Sequence, residues 1–102
     1  MCPGEPEEVA RPELQIFDLL GRRWAMRIIW ELRGGALAFN EIRRRCSLMS
    51  TSVLSCRLTE LQEVGLADHD EFGAWELTAG GRSVGEALTE LADLAEGLFP
   101  PE

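Results

Sequence analysis

Lysine is absent from this 102-residue chain, so all ten basic residues are arginines, and histidine occurs once. No apolar run approaches the roughly 18 residues that cross a bilayer as a helix. The first twenty residues carry proline, glutamate and arginine in place of a basic start and an apolar stretch, which predicts no secretion signal and a cytoplasmic protein. Three cysteines at irregular spacing make no disulfide framework. Nor do Cys46, Cys56 and His69 include the close-spaced pair that a metal site needs, and no motif asks for a cofactor. There is no glycine-rich phosphate loop after a strand, no Ser-x-x-Lys and no His-Glu-x-x-His. The expectation is a protein that is not an enzyme.

What is present is an ordinary globular composition, 45% hydrophobic and 27% charged, in a chain long enough for one modest core. The net charge of −8 is unevenly spread. Residues 21–57 sum to +6, residues 58–102 to −10 and residues 1–20 to −4. Such asymmetry predicts one surface suited to a polyanion and another facing elsewhere.

Punctuation divides the chain. Residues 1–11 are expected to be a flexible tail, and residues 12–99 a single domain. Pro12 suits the first turn of a helix, Leu14, Phe17 and Leu20 share a face, and Gly21 ends it. Ala25, Ile28, Ile29 and Leu32 mark a second helix that stops at Gly34-Gly35. Residues 36–39 read as extended. Asn40 is the expected N-cap of a short third helix over 41–46, with Ile42 and Cys46 inward. Ser50 caps a fourth helix, closed by Gly65, with Leu54, Leu58 and Leu61 as its buried stripe. Ser52, Ser55, Cys56 and Thr59 fall on or near the opposite side at about 100° per residue. Two short strands over 66–72 and 74–78 follow, with Gly73-Ala74 as a two-residue turn. Thr78 then caps a last helix in which Val84, Leu88, Leu91, Ala95 and Leu98 recur. The expected fold is mainly α with a small β-hairpin, a winged helix-turn-helix.

Four segments, "LLGRRWAMRIIWEL" (19–32), "ALAFNEIRR" (36–44), "MSTSVLSCRLTELQEVGLA" (49–67) and "WELTAGGRSV" (75–84), together resemble the HxlR-type winged-helix regulators in content, order and spacing. The resemblance spans about Leu19 to Leu98. It implies a homodimeric, cytoplasmic, bacterial regulator of transcription, a repressor by expectation, that binds double-stranded DNA. Members of this family often sense reactive electrophiles or oxidants, which implies a small-molecule effector.

Residue by residue, Arg43, Arg44 and Arg45 lie on the helix before the turn and are candidate phosphate clamps. Thr51, Ser52, Ser55, Cys56 and Thr59 are candidates for base edges in the major groove, with part of the specificity carried by DNA shape. Arg57 beside the apolar stripe suits either a phosphate or an ion pair with Glu60 or Glu41. The hairpin carries Asp68, Asp70, Glu71 and Glu76 and is expected to brace the fourth helix through Phe72 and Trp75 rather than grip DNA. Leu14, Phe17, Leu88, Leu91, Ala95 and Leu98 are candidate dimerisation residues, although both stripes could instead fold onto the chain's own core. Trp24, Met26 and Trp30 suit either a small-molecule pocket or core packing. Cys2 falls on the tail and Cys46 reads as buried. Cys56 beside Arg57 reads either as a reactive thiolate or as small neutral filler. The rival to the DNA-binding reading is a winged helix whose acidic half docks a basic protein.

Overall fold

The computed structural model describes residues 11–101, so Cys2 and all of the expected tail except Arg11 lie outside the described residues. Five helices and three short strands follow in the order α1 (Pro12–Gly21), α2 (Ala25–Leu32), β1 (Leu37–Ala38), α3 (Phe39–Arg45), α4 (Thr51–Val64), β2 (Ala67–His69), β3 (Ala74–Leu77) and α5 (Ala79–Leu98). One core holds them together. Ile28, Ile29 and Leu32 of α2, Ile42 of α3, and Leu54, Leu58 and Leu61 of α4 are essentially sealed from solvent within it. α2 is the hub, packing against α1, α3, α5 and β3.

The caps explain where α4 begins and ends. The Ser50 hydroxyl accepts from the Val53 backbone N–H at 3.4 Å. At the far end Gly65 adopts φ 89°, its N–H reaches Gln62 O, and the Leu66 N–H reaches Leu61 O at 2.8 Å. That double closure needs a left-handed residue, which glycine supplies without a Cβ clash, and it folds Leu66 back into the core. α5 is capped by Thr78, whose hydroxyl accepts from the Gly81 N–H at 3.1 Å and donates to Gly65 O.

The structure departs from the sequence reading at the strands. α3 starts at Phe39 with Ala38 as its cap residue, so Asn40 lies inside the first turn and caps nothing. Ala38 is extended because Leu37 and Ala38 pair with Trp75 and Ala74, which makes β1 the third strand of a sheet ordered β1-β3-β2. The hairpin turns through Glu71-Phe72-Gly73 rather than through Gly73-Ala74. The Asp70 N–H donates to Ala74 O, the Gly73 N–H to Asp70 O, and Gly73 sits at φ 86°. The Asp70 carboxylate shapes this turn by accepting from the Phe72 and Ala74 N–H groups. Phe72 therefore projects from the tip, 87% exposed, and braces nothing. Trp75 does pack on the core, and its ring lies 4.7 Å from that of His69.

Candidate nucleic-acid interface

α3, a five-residue connection and α4 form the unit on which the candidate residues sit. The connection holds Ser47 and Leu48 in the left-handed region, φ 60° and 56°. Such backbone costs non-glycine residues about 1 kcal/mol or more each and persists only where surroundings enforce it. Here the Leu48 N–H donates to Arg43 O at 2.9 Å, Met49 is buried, and Arg43 Nε donates to Met49 O at 2.8 Å. Arg43 is thus half-buried and clasps the turn.

The other two arginines of the run point elsewhere, as steps of about 100° along a helix require. Arg44 is exposed and paired with Glu41. Arg45 leans toward α2: its Nε donates to Glu41 at 3.0 Å, and its NH1 lies 3.9 Å from Glu31. Arg27 completes this flank, donating to Glu31 at 2.8 Å and to the Arg45 carbonyl at 2.6 Å. The Arg44 and Arg45 bonds to Glu41 hold its carboxyl below the usual carboxylate range. Three consecutive arginines therefore do three different things.

On α4, Thr51, Ser52, Ser55 and Thr59 are exposed while the helix's other face is locked into the core. Ser52 Oγ lies 2.9 Å from Ser50 Oγ, and Thr59 Oγ1 donates back to Ser55 O at 2.9 Å. Ser52, Ser55, Cys56 and Thr59 also line one side of an open groove of about 1140 Å³ whose other side is α1. Cys56 is disulfide-bonded, which sets aside the thiolate among the two readings of that residue and departs from the expectation that the cysteines make no disulfide framework. Cys46 is a free thiol, and its burial pushes its pKa up.

Of the two readings of Arg57, the structure shows the ion pair with Glu60. Its side chain is only 8% exposed, its Nε donates to Arg23 O at 2.8 Å, and its NH1 reaches Glu60 at 3.1 Å. Glu60 also pairs with Arg22, which in turn reaches Asp18 at 3.0 Å. This chain of charges ties α4 to the end of α1, and it engages the Arg57 guanidinium within the protein. Sequence reasoning had no means of finding the Arg23 carbonyl, 34 positions away.

The expected dimerisation set splits. Leu88 is buried and belongs to the chain's own core, whereas Phe17, Leu91 and Leu98 are 63%, 56% and 73% exposed. Leu14 and Ala95 are half-buried. Leu94 and Phe99, not singled out from the sequence, are exposed on the same end of α5. Trp24 and Met26 line a shallow depression of about 400 Å³. Trp30 does not; it is stacked under Arg33, whose guanidinium carbon lies 3.4 Å from the ring centre. Among the described residues, no group of His, Cys, Asp and Glu is placed to hold a metal ion, and no helix is long and apolar enough to cross a membrane.

Comparison with known proteins decides between the remaining readings. The family model for the HxlR-like helix-turn-helix matches residues 19–102. The chain belongs to the HxlR-like helix-turn-helix family. The uncharacterized HTH-type transcriptional regulator YvaP of Bacillus subtilis (strain 168) is 30% identical over 107 residues, covering 99% of this chain and 92% of that protein. Quinone-bound YodB from B. subtilis superposes with a TM-score of 0.77 at 28% identity, over 86% of this chain and 99% of that one. A possible HxlR family transcriptional factor from Thermoplasma volcanium GSS1 gives 0.78 at 28%, over 99% and 96%. As an HxlR-like protein, the chain is a DNA-binding regulator of transcription, and the protein-docking alternative is set aside.

Proposed function

We propose that this HxlR-like regulator binds duplex DNA as a homodimer, with the exposed face of α4 in the major groove. Residues 12–99 act as one winged helix-turn-helix domain with dimerisation helices at its two ends. The observation that carries the reading is the two-sidedness of α4: Leu54, Leu58 and Leu61 are sealed in the core, while Thr51, Ser52, Ser55 and Thr59 face solvent. Hydroxyls can donate or accept at base edges and the threonine methyls can meet thymine. Arg44 and Arg45, both exposed, serve the phosphates. Arg43 acts on DNA through the turn it clasps. The wing, with Asp68, Glu71 and Glu76 exposed, stays off the backbone.

Phe17, Leu91, Leu94, Leu98 and Phe99 are large apolar groups left in water at the terminal helices. A two-fold partner that covers them sets two α4 helices on half-sites about one turn of DNA apart. The protein works in the cytoplasm. By analogy with YodB, which takes up a quinone, the effector class is a reactive electrophile or oxidant, and repression is the expected sign of control. Titrating a short-duplex library at two salt concentrations tests this. Sequence-selective binding whose affinity falls steeply with salt is expected; no selective binding at low salt overturns it.

A further inference from the structure

We infer that Glu41 is a built-in competitor for the DNA backbone: its carboxylate occupies Arg44 and Arg45 in the free protein, and a phosphate must displace it before either guanidinium grips the duplex. This rests on the proposed docking of α3 and α4.

Both oxygens of Glu41 are engaged, Oε1 by Arg44 and Oε2 by Arg45 at 3.0 Å. The side chains are 34%, 62% and 46% exposed in the order Glu41, Arg44, Arg45, so the cluster lies open to an incoming anion. Glu41 has no share in the core: Ile42 is the residue that α3 buries, and Cys46, just past the helix, is the next. A carboxylate and a DNA phosphate present the same acceptor chemistry to a guanidinium, so they compete for it. Exposed pairs of this kind are individually weak, which is what a displaceable contact requires. The neighbouring Glu31 is a poorer competitor: it engages Arg27 at 2.8 Å but lies 3.9 Å from Arg45.

Binding of a duplex selected with the wild-type protein, compared with Glu41→Gln at several salt concentrations, tests the inference. Glu41→Gln keeps the size of the side chain and removes the competing charge. It is expected to bind about three- to tenfold tighter, with a salt slope steeper by roughly one counterion. Glu31→Gln is expected to gain less. A role in orienting the arginines toward phosphate, or in stabilising the first turn of α3, predicts the opposite sign, so unchanged or weaker binding by a variant whose thermal unfolding matches wild type overturns the inference. In an Arg44→Ala, Arg45→Ala background the gain from Glu41→Gln should vanish. If it persists there, net charge alone is responsible and the competitor role fails. Absence of wild-type binding would remove the docking reading itself, a distinct result from binding without the gain.

Discussion

Arg57 and Arg44 carry the same charge and sit on adjacent helices, yet the fold spends one inside and holds the other outside. Arg57→Ala removes the guanidinium that spans Arg23 O and Glu60 and leaves Glu60 with one cation fewer. Breaking a buried pair costs about 3 kcal/mol, so urea unfolding should show a loss of that order. Arg44→Ala should stay within about 0.5 kcal/mol of wild type in the same assay while weakening all duplexes alike. The sequence left Arg57 open between a phosphate and an ion pair with Glu60, because hydrophobic periodicity places apolar residues and a long arginine stem can lean either way. At the same scale two carboxyls have depressed pKa values: Asp68, through the His69 backbone N–H and then the Gln62 amide, and Glu41, through Arg44 and Arg45. A carboxylate with a lowered folded-state pKa adds stability above its unfolded pKa of about 4 and loses it as pH falls through the lower folded value. Asp68→Asn should therefore flatten the acid limb of a plot of unfolding free energy against pH, leaving the plateau above pH 5 otherwise level.

Among the elements, α5 shows how one residue type can do opposite things in one helix. A Cβ on Gly81 would meet Leu66 O at 1.9 Å, so the helix start can lie against the end of α4 only as glycine. Gly97 meets nothing within 4 Å. Gly81→Ala is expected to destabilise by about 2 kcal/mol or more, and Gly97→Ala to stabilise by up to about 1 kcal/mol, with thermal unfolding as the measurement. The helices α2 and α4 were legible because their apolar spacing, Ser50 and Gly65 all point to the same boundaries. Residues 36–39 read as extended, but the pairing of β1, the start of α3 and the hairpin turn were not legible: pairing of Leu37 and Ala38 with Trp75 and Ala74 sets the first two, and the Asp70 carboxylate shapes the turn. Leu88 was left open for a related reason: a repeating stripe on α5 does not say where the chain's own core stops. The exposed hydroxyl face of α4 was readable by unrolling the helix about its apolar stripe. The groove it shares with α1 was not, since nothing local places α1 beside it.

For the molecule as a whole, the proposed assembly sets the basic segment against the duplex and the apolar helix ends against a partner subunit. Leu94→Glu with Leu98→Glu puts charge where the proposed two-fold contact lies, on residues 66% and 73% exposed in the single chain. Sedimentation should show a folded monomer, and affinity for a two-half-site duplex should fall by at least tenfold while a single half-site is bound as before. The central claim is that the outer face of α4 enters the groove. Backbone amide shifts followed as a selected duplex is added address it residue by residue. The largest changes are predicted at Thr51, Ser52, Ser55 and Thr59, with little movement over Glu71–Gly73 at the wing tip. Changes concentrated in the wing, with the α4 face silent at saturation, would contradict the account.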